Sequence, residues 1–210
     1  MKVYSDIKQG TPEWLEVRKL KFTASHASTI LARGKGVDTL IREMLTEYYS
    51  SGNYPEYVDR YTNTNIQRGN DFEDKARRIY ELETGYTVTQ VGFIEIDPNI
   101  GCSPDGLIDE NGLLEIKNPN DKRFMELVME DKIDKRHLDQ MQMQMFVTGR
   151  AWCDYFCFNP NFETPFYMKR ITADPAIQSA LSVALPEAKR KLLALKKVLD
   201  KKMKGKNNEQ

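Results

Sequence analysis

The chain has 210 residues, with 31 Lys and Arg against 31 Asp and Glu and a formal net charge of zero. That length suits one domain able to bury a substantial core, and the neutral balance excludes a protein coated in basic surface. No apolar run reaches the length of a membrane span and the N-terminus lacks the apolar stretch of a signal peptide, so the expectation is a cytoplasmic, membrane-free protein.

Thr11-Pro12-Glu13 reads as a helix start. Thr11 can cap, Pro12 fits the first helical position and Glu13 favours the positive end of the dipole. This helix carries Trp14, Leu15 and Arg18. Ser25 is expected to cap a short second helix, and Gly34-Lys35-Gly36 a break before a third, about 37–49. A polar, tyrosine-bearing loop follows over 50–65, then a long helix over about 65–84 stopped by Gly85. Strands are predicted at 86–97, 101–108 and 113–118, helices at 121–131 and 135–148, strands at 151–158 and 165–171. A final helix from Pro175 to about residue 203 is expected to break or kink at Pro186. Residues 1–203 form the predicted domain and 204–210 a frayed tail. Helices around a central run of strands imply a mixed α/β fold, a sheet covered by helices. Between residues 187 and 206, nine Lys and Arg face two acids, a basic end able to track phosphates or simply to be solvated.

Ser103-Pro104-Asp105-Gly106 and Glu115-Ile116-Lys117 flank a predicted hairpin. With Glu110-Asn111-Gly112 as a three-residue loop and Gly112 at positive φ, Asp109 faces Leu113, Leu107 faces Glu115 and Asp105 faces Lys117. Alternation then puts Asp105, Glu115 and Lys117 on one face and Ile108, Leu114 and Ile116 on the other. Two carboxylates and an ammonium so placed can hold a divalent cation and a water; the plainer alternative is a surface ion pair. Glu73 falls on the inward stripe of its helix with Ile66, Gly69, Ala76 and Tyr80. There it either joins the acidic cluster or pairs with Arg77 or Lys75. In the run from Gln140 to Phe146, periodicity selects Gln142 as inward-facing without excluding Gln140. Arg18, a planar phosphate-binding fork, and Ser25, at a helix N-terminus, can form a terminal-phosphate pocket. Cys102, Cys153 and Cys157 form no disulfide framework, and with only His26 and His137 to assist they suggest no zinc site.

The ordered strings Trp14-Leu15-Glu16-Val17-Arg18, Thr23-Ala24-Ser25, Arg68-Gly69-Asn70-Asp71-Phe72-Glu73, Cys102-Ser103-Pro104-Asp105-Gly106-Leu107, Gly112-Leu113-Leu114-Glu115-Ile116-Lys117 and Gln140-Met141-Gln142 resemble the lambda exonuclease and YqaJ-type viral recombinase family. That family lies within the PD-(D/E)xK nuclease superfamily. The resemblance implies a restriction-endonuclease-like core with a central mixed β-sheet flanked by helices, and a 5′-to-3′ exonuclease on linear double-stranded DNA. Such an enzyme releases mononucleotides and leaves 3′ overhangs for recombination by strand annealing. The resemblance further implies two Mg²⁺ per site, replaceable by Mn²⁺. Their ligands would be Asp105, Glu115 and the backbone carbonyl of Ile116, with Glu73 reaching metal or its water. Lys117 would stand beside the attacking water, where nearby cations and desolvation are expected to lower its pKa. Gln140, rather than Gln142, would be the motif glutamine. Arg18, Ser25 and Ser103 would surround the 5′-phosphate, and Ile66 would wedge the duplex end. The implied assembly is a ring-shaped homotrimer working with a single-strand annealing protein, encoded by a phage or prophage. A site-specific endonuclease on the same core and a non-catalytic DNA-binding module are the competing readings.

Overall fold

The computed structural model describes residues 1–50 and 64–204, with 64–71 and 204 described through the backbone alone. The order is β1 (Lys2–Tyr4), α1 (Pro12–Arg18), β2 (Phe22–Thr23), a single 3-10 turn (Ala24–His26), α2 (Ala27–Ala32), α3 (Lys35–Tyr49), α4 (Thr64–Thr84), β3 (Val88–Thr89), β4 (Phe93–Asp97), β5 (Ile100–Cys102), β6 (Gly106–Ile108), β7 (Gly112–Lys117), α5 (Asp121–Glu130), α6 (Lys135–Thr148), β8 (Trp152–Phe158), β9 (Phe166–Thr172) and α7 (Pro175–Lys204). Helix starts follow their caps: Thr11 accepts from the Trp14 N–H, Asn120 from that of Arg123 and Asp134 from that of Arg136. Gly149, at φ 70°, closes α6. The loop predicted over 50–65 falls almost wholly outside the described residues.

The strands form two sheets rather than one. The first has the order β1-β4-β5-β2 and the second β3-β6-β7-β8-β9. The predicted strand over 101–108 is split between them: Ser103-Pro104-Asp105 leaves the first sheet after Cys102 and enters the second at Gly106. A proline with no N–H to give a ladder marks that crossing. In the second sheet β7 pairs antiparallel with β6 and parallel with β8, across a connection that contains α5 and α6. One face of this sheet packs Ile108, Leu114, Ile116 and Phe156 against Ala76 and Tyr80 of α4. The opposite face packs Leu113, Cys153 and Tyr155 against α5 and α6. A third cluster joins the first sheet to α2, α3, α6 and α7. Helix α6 therefore lies between layers, and Met141 to Met145 are all buried.

The hairpin departs from expectation in register. Ile108 pairs with Gly112 and Leu107 with Leu113, so the loop is Asp109-Glu110-Asn111 and Asp109, at φ 43°, takes the left-handed position assigned to Gly112. Continued one residue, this register sets Asp105 across from Glu115 instead of Lys117. The slip is two residues on one strand, so every side chain keeps its predicted face. Gly112 is required by packing: a Cβ there would come within 2.2 Å of the Trp152 indole. Two helix expectations also change. Thr23, not Ser25, precedes the first turn of its helical segment. Helix α7 continues through Pro186, because Leu181, Ala184, Leu185, Ala188 and Leu192 on both sides of it are buried and hold the helix in place.

Replacing Gly112 by Ala should destabilise the protein by about 1–3 kcal/mol, the usual range for overpacking, without altering its sheet content. Urea unfolding compared with circular dichroism checks both parts.

Candidate active site

Glu115 is the centre of the site. It lies in the middle of the second sheet at 1 % exposure, where a lone carboxylate would be prohibitively costly. It is instead held on both oxygens. The Gln140 side-chain amide donates to Oε1 at 2.6 Å, the Gln144 amide donates to Oε2 at 2.6 Å, and the Lys117 ammonium donates to Oε1. Residues 140 and 144 are one helical turn apart, so α6 presents both amides to β7 from a single face. Gln142 faces the other way. It accepts from the Asp174 N–H at 2.9 Å and donates to the Thr172 carbonyl at 2.8 Å, tying α6 to the start of α7. Periodicity marks Gln142 as inward and it is buried, but α6 is buried on several sides, so an inward position does not set it beside Glu115.

Asp105 sits at the crossing between the sheets, and its Oδ2 accepts the Ile116 N–H at 2.6 Å. Burial pushes the Asp105 carboxyl well above its usual range, and repulsion from Glu115 and Glu73 adds to this. Glu73, on α4, is also raised, first by burial and against the pull of Arg77, whose guanidinium lies 3.9 Å away. Of the two readings of Glu73, the ion pair with Arg77 is present; the charges of Lys117, Glu115 and Asp105 are felt at a distance. Lys75 is not its partner and stands over the Phe158 ring. Lys117 answers to the charges of the protein's own groups. Burial acts to lower its pKa, but the attraction of Glu115 and Asp105 outweighs that, and the ammonium is held above its ordinary value.

The donor set is chemically suited to a hard dication. Among the described residues no three His, Cys, Asp or Glu side chains close on one point as a ready-made cage. What the site offers is oxygen only, Asp105 and Glu115 from adjoining strands, and the charges of Glu115 and Glu73 both raise the Asp105 carboxyl, a repulsion that a dication would relieve. An incomplete oxygen shell fits Mg²⁺, which keeps several waters, far better than zinc. The three cysteines are free, buried thiols.

Upstream of Asp105 the chain is pinned. Gln9 donates to the Pro104 carbonyl at 2.9 Å, and Trp14 Nε1 lies 2.9 Å from the Ser103 hydroxyl and 3.0 Å from the Gly92 carbonyl. Arg18 stacks on the Trp14 ring at 4.0 Å and reaches Ser103 at 3.5 Å. Arg18 and Ser103 are thus brought together two residues from Asp105. Ser25 is exposed, with its hydroxyl 3.0 Å from that of Thr23, which in turn contacts His26. Arg18, Lys21, Thr23, His26, Glu43 and Glu47 line a cavity of about 100 Å³ beside α3; neither Ser25 nor Ser103 contributes to its wall. Ile66 lies in α4, but its side chain is outside the described residues. Sequence reasoning passed over Gln144, Gln9 and the bracing role of Trp14. The i,i+4 spacings from Gln140 to Gln144 and from Trp14 to Arg18 were the available signals.

Two helix-flanked sheets that deliver an Asp and a Glu-x-Lys from adjacent strands define a restriction-endonuclease-like fold. Within it, the chain belongs to the YqaJ-like viral recombinase domain family, whose model matches residues 13–151 and so spans the site from Trp14 to Gln144. The structure is similar to that of the alkaline exonuclease LHK-Exo from Laribacter hongkongensis, at 31% identity over 91% of this chain and 99% of that one, with a TM-score of 0.76. The same values hold for LHK-Exo in complex with dAMP. A phage related exonuclease from Haemophilus somnus 129PT shares the fold at 15% identity, 88% and 98% coverage and a TM-score of 0.66. No curated protein matches the chain.

His26 and His137 are both lowered to about 4, first by burial and then by the charges of Arg18 and Lys117 respectively. The folded form keeps both neutral, whereas the unfolded chain protonates them near 6.5. Their contribution is therefore complete above pH 6.5 and is lost as pH falls toward 4, at up to about 1.4 kcal/mol per pH unit for each ring. Denaturant unfolding between pH 7 and 4 should show this slope, and His137→Gln should roughly halve it, leaving the His26 share.

Proposed function

We propose that the chain is a Mg²⁺-dependent 5′-to-3′ exonuclease of the PD-(D/E)xK class, acting on the ends of linear double-stranded DNA. It would release 5′-mononucleotides and leave 3′ single strands for recombination by annealing. The observation that carries this reading is the gathering of Asp105, Glu115 and Lys117 at the end of β7, with the Arg18–Ser103 pair two residues upstream of Asp105. Membership of the recombinase family and likeness to an alkaline exonuclease, also known in complex with a deoxynucleoside monophosphate, support it.

Asp105, Glu115 and the Ile116 carbonyl would hold the metal, with Glu73 reaching it or its water. When bound, Mg²⁺ supplies charge stabilisation at the scissile phosphate and a more acidic water. The chain's own residues do the rest. Lys117, as an ammonium, orients the attacking water and offsets negative charge gathering on the phosphate. Gln140 steadies Glu115 from the open side. Arg18, with Ser103 and Ser25, takes the terminal 5′-phosphate, which sets the direction of travel. We extend the proposal to a ring-shaped homotrimer around DNA and to a single-strand annealing partner in the cytoplasm of a phage-bearing host. Among the described residues no helix is long and apolar enough to cross a membrane.

Linear duplex labelled at one 5′ end should yield labelled mononucleotide early, with Mg²⁺ and not with chelator, while circular plasmid stays intact. Nicking of the plasmid would favour a site-specific endonuclease, and binding without release a non-catalytic module. Lys117→Ala should keep DNA affinity and lose about a hundredfold or more in single-turnover rate. Arg18→Ala should abolish the preference for 5′-phosphate over 5′-hydroxyl ends; a preference that survives would place the phosphate elsewhere.

A further inference from the structure

Glu115 is gripped asymmetrically. Its Oε1 faces Lys117 and Gln140, both only partly buried. Its Oε2 points into the core, where the Gln144 amide, at 0 % exposure, donates to it at 2.6 Å. The other end of that amide is also fixed. Gln144 Oε1 faces the buried Cys153 thiol at 4.0 Å, a weak donor. Turning the amide over would set oxygen against carboxylate oxygen and leave a buried pair of like dipoles, so its orientation is locked.

We propose that Gln144 is a positioning residue that holds Glu115 Oε2 in the core, so that a cation binds through Oε1 alone, in exchange for the partly buried Lys117 and Gln140 donors on that oxygen. This rests on the metal-dependent reading above and adds a selectivity to it. Small octahedral ions such as Mg²⁺ and Mn²⁺ accept one oxygen per carboxylate, whereas the larger Ca²⁺ gains from carboxylates that can bind through both. A carboxylate with one oxygen held in the core therefore favours the smaller ions by geometry. Partners of this kind, which orient a ligand without touching the metal, commonly govern affinity by about 10–100-fold.

The test is calorimetric titration of the DNA-free protein with Mn²⁺ and with Ca²⁺. Gln144→Leu should weaken Mn²⁺ binding about tenfold and lower the Mn²⁺-to-Ca²⁺ affinity ratio by a similar factor. Gln142→Leu, on the same helix but facing away, should leave the ratio unchanged. Should Gln144→Leu fail to fold, the wild-type protein still decides. With Mn²⁺ bound, the infrared carboxylate bands should show the wide splitting of one-oxygen coordination, and the narrow splitting of two-oxygen coordination overturns the inference. A folded Gln144→Leu with an unchanged ratio overturns it as well while leaving the nuclease reading intact. Absence of any Mn²⁺ binding by the wild type overturns both.

Discussion

A buried carboxylate that must be satisfied governs the site. Glu115 sits where only apolar side chains would otherwise fit, and an unmatched charge there would cost more than the fold's whole margin of stability. Its three donors come from two elements: Lys117 from its own strand, Gln140 and Gln144 from α6. Meeting that demand fixes the distance and rotation of α6 against β7. It thereby fixes the layer of Met141, Met145 and Leu113 that packs around them. Core packing and site geometry are one constraint seen from two sides.

The phosphate side obeys the same logic with weaker bonds. Ser103-Pro104-Asp105 has left one sheet and not yet joined the other, so its backbone lacks ladder partners. Gln9 donates to the Pro104 carbonyl in their place, and Trp14 holds the Ser103 side-chain hydroxyl. Trp14 also carries Arg18 on its face, so one indole both holds the strand crossing and aims the guanidinium toward Ser103. Asp105 and Arg18 are thus referenced to a common rigid group, which suits a pocket that must sit a fixed distance from reacting atoms.

Much of this was legible from residue order, because alternation is robust. The hairpin loop was misplaced, yet Asp105, Glu115 and Lys117 stayed on one face, since a slip of two residues conserves parity. Long amphipathic helices with plain caps were equally visible. What could not be read depends on the third dimension. The first sheet is built partly from strands of two and three residues, too short for any period, and the 101–108 run changes sheets at Pro104. Gly112 suggested a turn, but its reason is an indole forty residues away. Gln142 matched the helical stripe, but α6 has neighbours on several sides, so an inward position did not mean a position at the site. Nor does the residue order show that two carboxylates act on the Lys117 ammonium and raise its pKa against burial.

The parallel pairing of β7 with β8 has a kinetic corollary. Pairing those strands closes a long loop that contains α5 and α6, and α6 carries the amides that Glu115 requires. Long-range closures of this type come late, once their entropy cost can be met by packing. A chain caught partway therefore holds its acidic residues in water, apart and without their orienting glutamines. The machinery is assembled by the same closing step that completes the core, so maturation of the site and completion of the fold coincide.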